Sequence, residues 1–310
     1  PHGITVDPNG EYWYLSLAHG NPYGFLYKFK TGTDEFVSKV QLGLFPASMQ
    51  ISTASGLLYC VNFNLHGEMV PSSVSVVDPE LMTELTKITT GAMPHGSRIS
   101  ADGLYQYSVA MMSGELFEID AMKLKVNRKL DLDKSAEEMG MDHAGMGHME
   151  QPKTASNSMD HSKMDHSKMD HSAMEGMKHS KIKPTWVSPH PTNGMAYVAA
   201  NGAAQVLEID LKTWKVVRKW DCGKGPYNID ITPDGKKLIV SYKSEGATGI
   251  WDIEKGVELA KVQNTNSVTH GVAVSKDSKY AFISVEGKGD DKGRMDVIDL
   301  KTLKVVDTAF

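Results

Sequence analysis

The stretch GPYNIDITPDGKKLIVSYKSEGATGIWDI, residues 225–253, decides the fold. It opens with a short strand, breaks at Pro-Asp-Gly, continues in a second strand (KLIVSYK) and reaches a third that ends in Trp-Asp-Ile. The break has a mechanical cause. Proline presets φ, aspartate bonds the local backbone, and glycine takes positive φ without strain. The flanking segments are rich in β-branched and aromatic residues, which suit a pleated, half-buried surface.

The same unit recurs outward in both directions at roughly 40 to 48 residues, a period of propeller blades. Six copies open at residues 1–10 (PHGITVDPNG), 46–56, 94–103 (PHGSRISADG), 184–194, 226–235 and 269–278 (THGVAVSKDS). Second strands follow as YWYLSLA, LLYCVNF, LYQYSVA, MAYVAAN, KLIVSYK and YAFISVE. Third strands end in a shared signature (SVSVVD, ELFEID, QVLEID, RMDVID), and fourth strands such as KLKVNRKLD and TWKVVRKWD follow a short turn. Four antiparallel strands per unit predict an all-β chain, a β-propeller of four-stranded blades. A sandwich would not need such regular internal similarity, and helical periodicity is missing. Residues 1–310 are read as one propeller domain.

These segments resemble the YVTN-type repeat propellers, related to the cytochrome-d1 and nitrous-oxide-reductase propellers. The resemblance covers nearly the whole chain. It implies fold rather than function, because one fold hosts many activities. Members more often have seven blades. Six repeats are visible here, so a seventh would lie outside these residues.

One segment breaks the pattern. Blade three finishes near residues 123–133 and blade four begins near Pro184, which leaves 134–183 in a single connection. Its composition is rich in Ser, Lys, Asp, His and Met and nearly free of β-branched residues, so it is expected to be a flexible insert unable to fold alone. The chain has 18 methionines and 12 histidines, and nine of the former and six of the latter fall between Met139 and His179. Within it, Met-Asp-His-Ser-Lys repeats in tandem from Met159. Thioethers select Cu(I), and by the same softness Ag(I), while imidazole suits copper and zinc. Hard cations prefer oxygen and would not need methionine. Five residues advance about 500° on a helix, so successive units would not line one helical face.

The tract resembles the Met-Asp-His-Ser-x-x-Met segments of periplasmic copper-resistance proteins. By that match the ligands are Met159, His161, Met164, His166, Met169, His171 and Met174. The looser GMDHAGMGHM segment adds Met141, His143, Met146, His148 and Met149.

A second group lies in the ring. His2, His95 and His270 take the same repeat position, in PHG, PHG and THG, at the start of the innermost strand. His19 and His66 match one another in the link between second and third strands, where blade three carries Met111-Met112. In an antiparallel blade the entry to strand one and the link between strands two and three share a face. The five histidines, the methionines Met69 and Met93, and the insert are therefore expected on one face, at the channel mouth, with His190 on the other. Nitrous-oxide-reductase propellers carry histidine-ligated copper at such a mouth. The adjacent histidine pair and cupredoxin cluster of that enzyme have no counterpart here.

Other signals are quiet. The formal charge is −5, with no basic stripe for nucleic acid. No apolar run reaches the ~18 residues of a membrane span. The chain opens inside a repeat, so a missing signal peptide does not argue against export. Two cysteines, Cys60 and Cys222, read as small buried side chains rather than a disulfide framework. Phosphate loops, nucleophile elbows and His-Glu-x-x-His are absent. The expectation is an exported, periplasmic or secreted propeller that binds Cu(I) for sequestration, delivery or resistance, with a metallochaperone or cuproenzyme as partner. A copper-dependent oxidoreductase or lyase at the mouth and a protein-interaction propeller are the alternatives.

Overall fold

The computed structural model describes residues 2–18, 23–142, 179–287 and 289–310. Six four-stranded antiparallel sheets follow one another along the chain, over residues 4–41, 46–92, 94–131, 184–221, 226–263 and 268–309. In every sheet the strand order is the sequence order. The all-β, six-bladed propeller expected from the repeats is what forms, and each repeat is one blade.

The cores lie between blades. Trp186, Tyr197, Val206 and Trp220 of blade four pack on Ile229, Leu238, Val240, Tyr242 and Trp251 of blade five. A sheet covered on both sides has no polar face, so the second strand of blade two, Leu58–Asn62, is buried at every position.

Among the described residues, hydrogen bonds tie blades one to five each to the next at one repeated place, the backbone carbonyl of the residue that faces the channel mouth. That column holds His2, Ala47, His95, Thr185, Tyr227 and His270 in blades one to six. Ser16 Oγ donates to the Ala47 carbonyl at 3.0 Å, and Ser48 Oγ to that of His95 at 2.5 Å. His95 Nδ1 bonds the Thr185 carbonyl at 2.9 Å. Thr185 Oγ1 donates to the Tyr227 carbonyl at 2.8 Å, and Ser241 Oγ to that of His270 at 2.7 Å.

The connection between blades three and four departs from expectation at its start. Residues Leu132–Asp142 form a helix rather than a structureless link. Leu132 and Ala136 sink into the core between the two blades. The Asp131 carboxylate accepts the Lys134 N–H at 2.9 Å, satisfying an otherwise orphaned first-turn donor. Ser135 Oγ accepts the Val216 N–H, and Lys219 Nζ donates to the Ala136 carbonyl. Three helical turns with two buried anchors are hard to see in a segment of otherwise polar composition.

Candidate metal centre at the channel mouth

The start of each innermost strand aims one side chain at the axis. His2, His95 and His270 come together there, as their common repeat position requires. The His2 ring centroid lies 5.5 Å from that of His95 and 6.1 Å from that of His270. Tyr227, from the same column in blade five, fills the space between. Its ring lies 5.1 Å from His95 and 4.6 Å from His270. Sequence reading missed Tyr227, although its place in PYN, aligned with PHG, marks it.

Hydrogen bonding sets the state of His95. The Thr185 carbonyl can only accept, so Nδ1 carries the proton and Nε2 is left with a lone pair. Tyr227 Oη then donates to Nε2 at 2.9 Å. Burial pushes the His95 imidazole down to about 3, helped by its neighbour His2. Burial, with the Lys243 ammonium nearby, pushes His270 down to about 3. Both rings are neutral at neutral pH. Burial also holds the Tyr227 phenol protonated, with Glu286 acting in the same direction. Glu286 lies 3.5 Å from His270 Nε2 and 3.6 Å from Lys243 Nζ, and Lys243 sits over the Tyr227 ring at 4.4 Å.

Around these rings lies a soft, apolar rim. Phe45 and Phe63 touch His2, and Phe63 touches His95. They pack with Met93, and Met69, Met111 and Met112 lie against the same cluster. His66 is exposed and stacks edge-on to Phe45 at 5.5 Å, outside the three-histidine group. Below the mouth a cavity of about 570 Å³ runs down the axis past Arg98, Trp186 and Asp230. His190 is on the opposite face, bonding the Gly235 carbonyl.

The insert is rooted on the mouth side. The Ser180 N–H donates to the Met112 carbonyl at 3.1 Å, and Asp133 Oδ1 accepts from Lys181 N at 2.9 Å and Ile182 N at 3.1 Å. The backbone of Met141 belongs to the helix. His19, His143, Met146, His148, Met149, Met159, His161, Met164, His166, Met169, His171 and Met174 lie outside the described residues.

Do these residues suit a metal ion? Neutral imidazoles do, and a ring whose Nδ1–H is anchored on a carbonyl presents Nε2 as a ligand in the usual way. Tyr227 occupies that lone pair, however. Among the described residues no group of three or more His, Cys, Asp or Glu side chains could hold a metal ion as it stands. Cys60 and Cys222 are both free, and burial pushes each thiol up to about 12, so neither offers a thiolate. No helix among the described residues is long and apolar enough to cross a membrane.

No family model matches the chain. One stretch of 56 residues, 18% of the chain, is 41% identical to the uncharacterized protein YncE of Salmonella typhi and of Salmonella typhimurium LT2. That match spans only 16% of those relatives' length. Among solved structures, Kuenenia stuttgartiensis hydrazine synthase superposes over 97% of this chain and 77% of its own, with a TM-score of 0.69 and 19% identity. At that identity the likeness shows the propeller fold and nothing of activity.

Proposed function

We propose that the chain is an exported soft-metal-binding propeller that takes up Cu(I) through the Met/His-rich insert for sequestration, delivery or resistance. The observation that carries this reading is the rooting of the insert at Met112 and Asp133. Asp133 and Ser180, which flank the insert's repeats in sequence, thereby lie with Met112 on the face that also holds His2, His95, His270 and the Met69, Met93 and Met111 cluster. Thioethers and imidazoles together favour a soft monovalent ion. The insert is the capturing element, and the mouth is a second, tighter position reached when Tyr227 releases Nε2 of His95. A periplasmic metallochaperone or cuproenzyme is the proposed receiver.

The test is copper and silver content, by elemental analysis after reductive loading and desalting, of the chain and of a variant lacking residues 143–178. Several ions on the chain and about one on the variant is the expected result. Metal on neither would end the proposal. A second reading, a propeller that binds proteins, is favoured by the hydrogen bonding of His95, which is complete without a metal. It predicts that neither protein retains metal.

A further inference from the structure

One layer below the mouth the propeller carries a second column. Three residues past the mouth position stand Thr5, Gln50, Arg98, Ser188, Asp230 and Ala273 in blades one to six. The strand register keeps them equivalent: Thr5 pairs with Tyr14, Arg98 with Tyr107 and Ser188 with Tyr197. All six line the axial cavity of about 570 Å³, a size that suits a small molecule. Five of the six are polar. Polar side chains inside a ring of apolar blade cores are costly unless something satisfies them.

Two of them are charged. Arg98 and Asp230 are the one guanidinium and the one carboxylate of this wall among the described residues. Arg98 Nε lies 3.9 Å from Asp230 Oδ1, too far for a hydrogen bond. A closed charge-assisted bond would stand at about 2.8 Å. The guanidinium is held in place, with Nη1 donating to the Ser97 carbonyl at 3.2 Å and the Trp186 ring beneath it at 5.2 Å. Both side chains keep an open edge, 18% and 24% exposed. Burial pushes the Asp230 carboxyl up, while Arg98, the Ile231 N–H and the Ser188 hydroxyl pull it back down.

The neighbours sort by role. Gln50 Oε1 accepts the Ile99 N–H at 2.7 Å, so its amide nitrogen is left to donate beside Arg98. Two more residues of the wall hold buried polar atoms that meet no partner, the donor Trp186 Nε1 and the acceptor Asn228 Oδ1. Spare donors thus gather in blades two to four and spare acceptors in blade five. Blade six is different, and lines the cavity with Val272, Phe282 and Met295. An anion alone would face the Asp230 carboxylate, and a cation alone would face Arg98.

We propose that the axial cavity binds a small zwitterion with an apolar side chain, an α-amino acid of the leucine class, its carboxylate on Arg98 and Gln50 and its ammonium on Asp230. Two opposite charges on one α-carbon match an ion pair held open at 3.9 Å. The side chain lies toward Val272, Phe282 and Met295. The site needs no metal and is a layer below the histidines.

The test is titration calorimetry of the full chain, in the presence of a chelator, with three compounds. They are L-leucine, 4-methylpentanoate, which lacks the amine, and 3-methylbutylamine, which lacks the carboxylate. Leucine has no thioether or imidazole, so metal capture is not read. One leucine should bind per chain, and each analogue should bind at least about tenfold more weakly, as loss of one charge-assisted bond requires. Asp230→Asn should weaken leucine by a similar factor and tighten 4-methylpentanoate, because the repelling carboxylate is gone. A merely structural role would weaken both. Arg98→Gln should weaken both acids. Should either variant fail to fold, the three compounds on the native chain decide alone. No heat from leucine up to about 10 mM, where even a weak site would fill, would overturn the proposal. So would either analogue binding as tightly as leucine, or Asp230→Asn weakening leucine and 4-methylpentanoate alike.

Discussion

Acid should weaken this propeller through two imidazoles at its mouth. His95 and His270 are each held down to about 3 by burial, with the positive Lys243 and the ring of His2 acting in the same direction. In the unfolded chain a histidine titrates near 6.5. The folded value is depressed, so the unfolded state binds more protons between those limits. The stability contributed is therefore fully present above about pH 6.5 and is lost as pH falls toward 3. Between pH 7 and pH 5 the loss is about 2 kcal/mol for each ring and about 4 kcal/mol for both, an order-of-magnitude figure from two depressed values. Urea unfolding at pH 7, 6 and 5 measures it, comparing the native chain with His95→Gln/His270→Gln. Glutamine keeps a donor and an acceptor, and its loss of packing lowers stability equally at every pH. The double variant should thus lose about 4 kcal/mol less than the native chain over this range. A parallel fall in both proteins would show that neither ring is buried neutral, and the geometry of the mouth would be misread.

Tyr227→Phe removes the hydroxyl that caps His95 Nε2 and leaves a buried acceptor unsatisfied, which costs about 1–3 kcal/mol of stability. If a metal binds at the mouth, the same change should tighten it by about fivefold, since the displaced bond is worth about 1 kcal/mol; competition against a chelator reads this, and weaker binding would mean the phenol is itself a ligand. Leu132→Ala, at a fully buried helix position, should cost about 2–5 kcal/mol in urea unfolding, while Leu81→Ala on the surface should cost less than about 0.5 kcal/mol. His161→Ala/His166→Ala/His171→Ala should lower metal stoichiometry with an unchanged unfolding midpoint, and a shifted midpoint would place those histidines in the folded frame.

The fold was legible because a propeller repeats its local chemistry. The short polar turns after each first strand, the apolar second strands and the aspartate that ends the third strand of blades two to six mark blade and strand order, and the six sheets follow that order. The mouth was half legible. Alignment brings His2, His95 and His270 together because one repeat position has one direction in space. The eye for metal ligands passed over Tyr227 in that same column, and it is Tyr227 that decides whether His95 has a lone pair to give. His66 shows the converse error. It lies on the expected face, but Phe45 stands between it and the axis, a separation that spacing along the chain cannot carry. The helix at Leu132–Asp142 escaped notice because only its buried anchors, Leu132 and Ala136, distinguish it from the polar segment that follows.

What the repeats could not show is which blades have neighbours. Ile4 and Val6 are as apolar as Ile229 and Ile231, and Gly271 is as conspicuous in THG as Gly3 in PHG. A repeat carries the same residues whether or not its face is covered, because every copy is built for a ring. Burial separates the cases. An interior blade hides its apolar residues on both sides, and Ile239 and Ile250 reach zero exposure only because blade six lies on them. Burying two side chains of that size stabilises by about 1.5–3 kcal/mol each. Blades one and six forgo that contribution on faces carrying Ile4, Val6, Trp13, Phe29, Tyr280 and Met295.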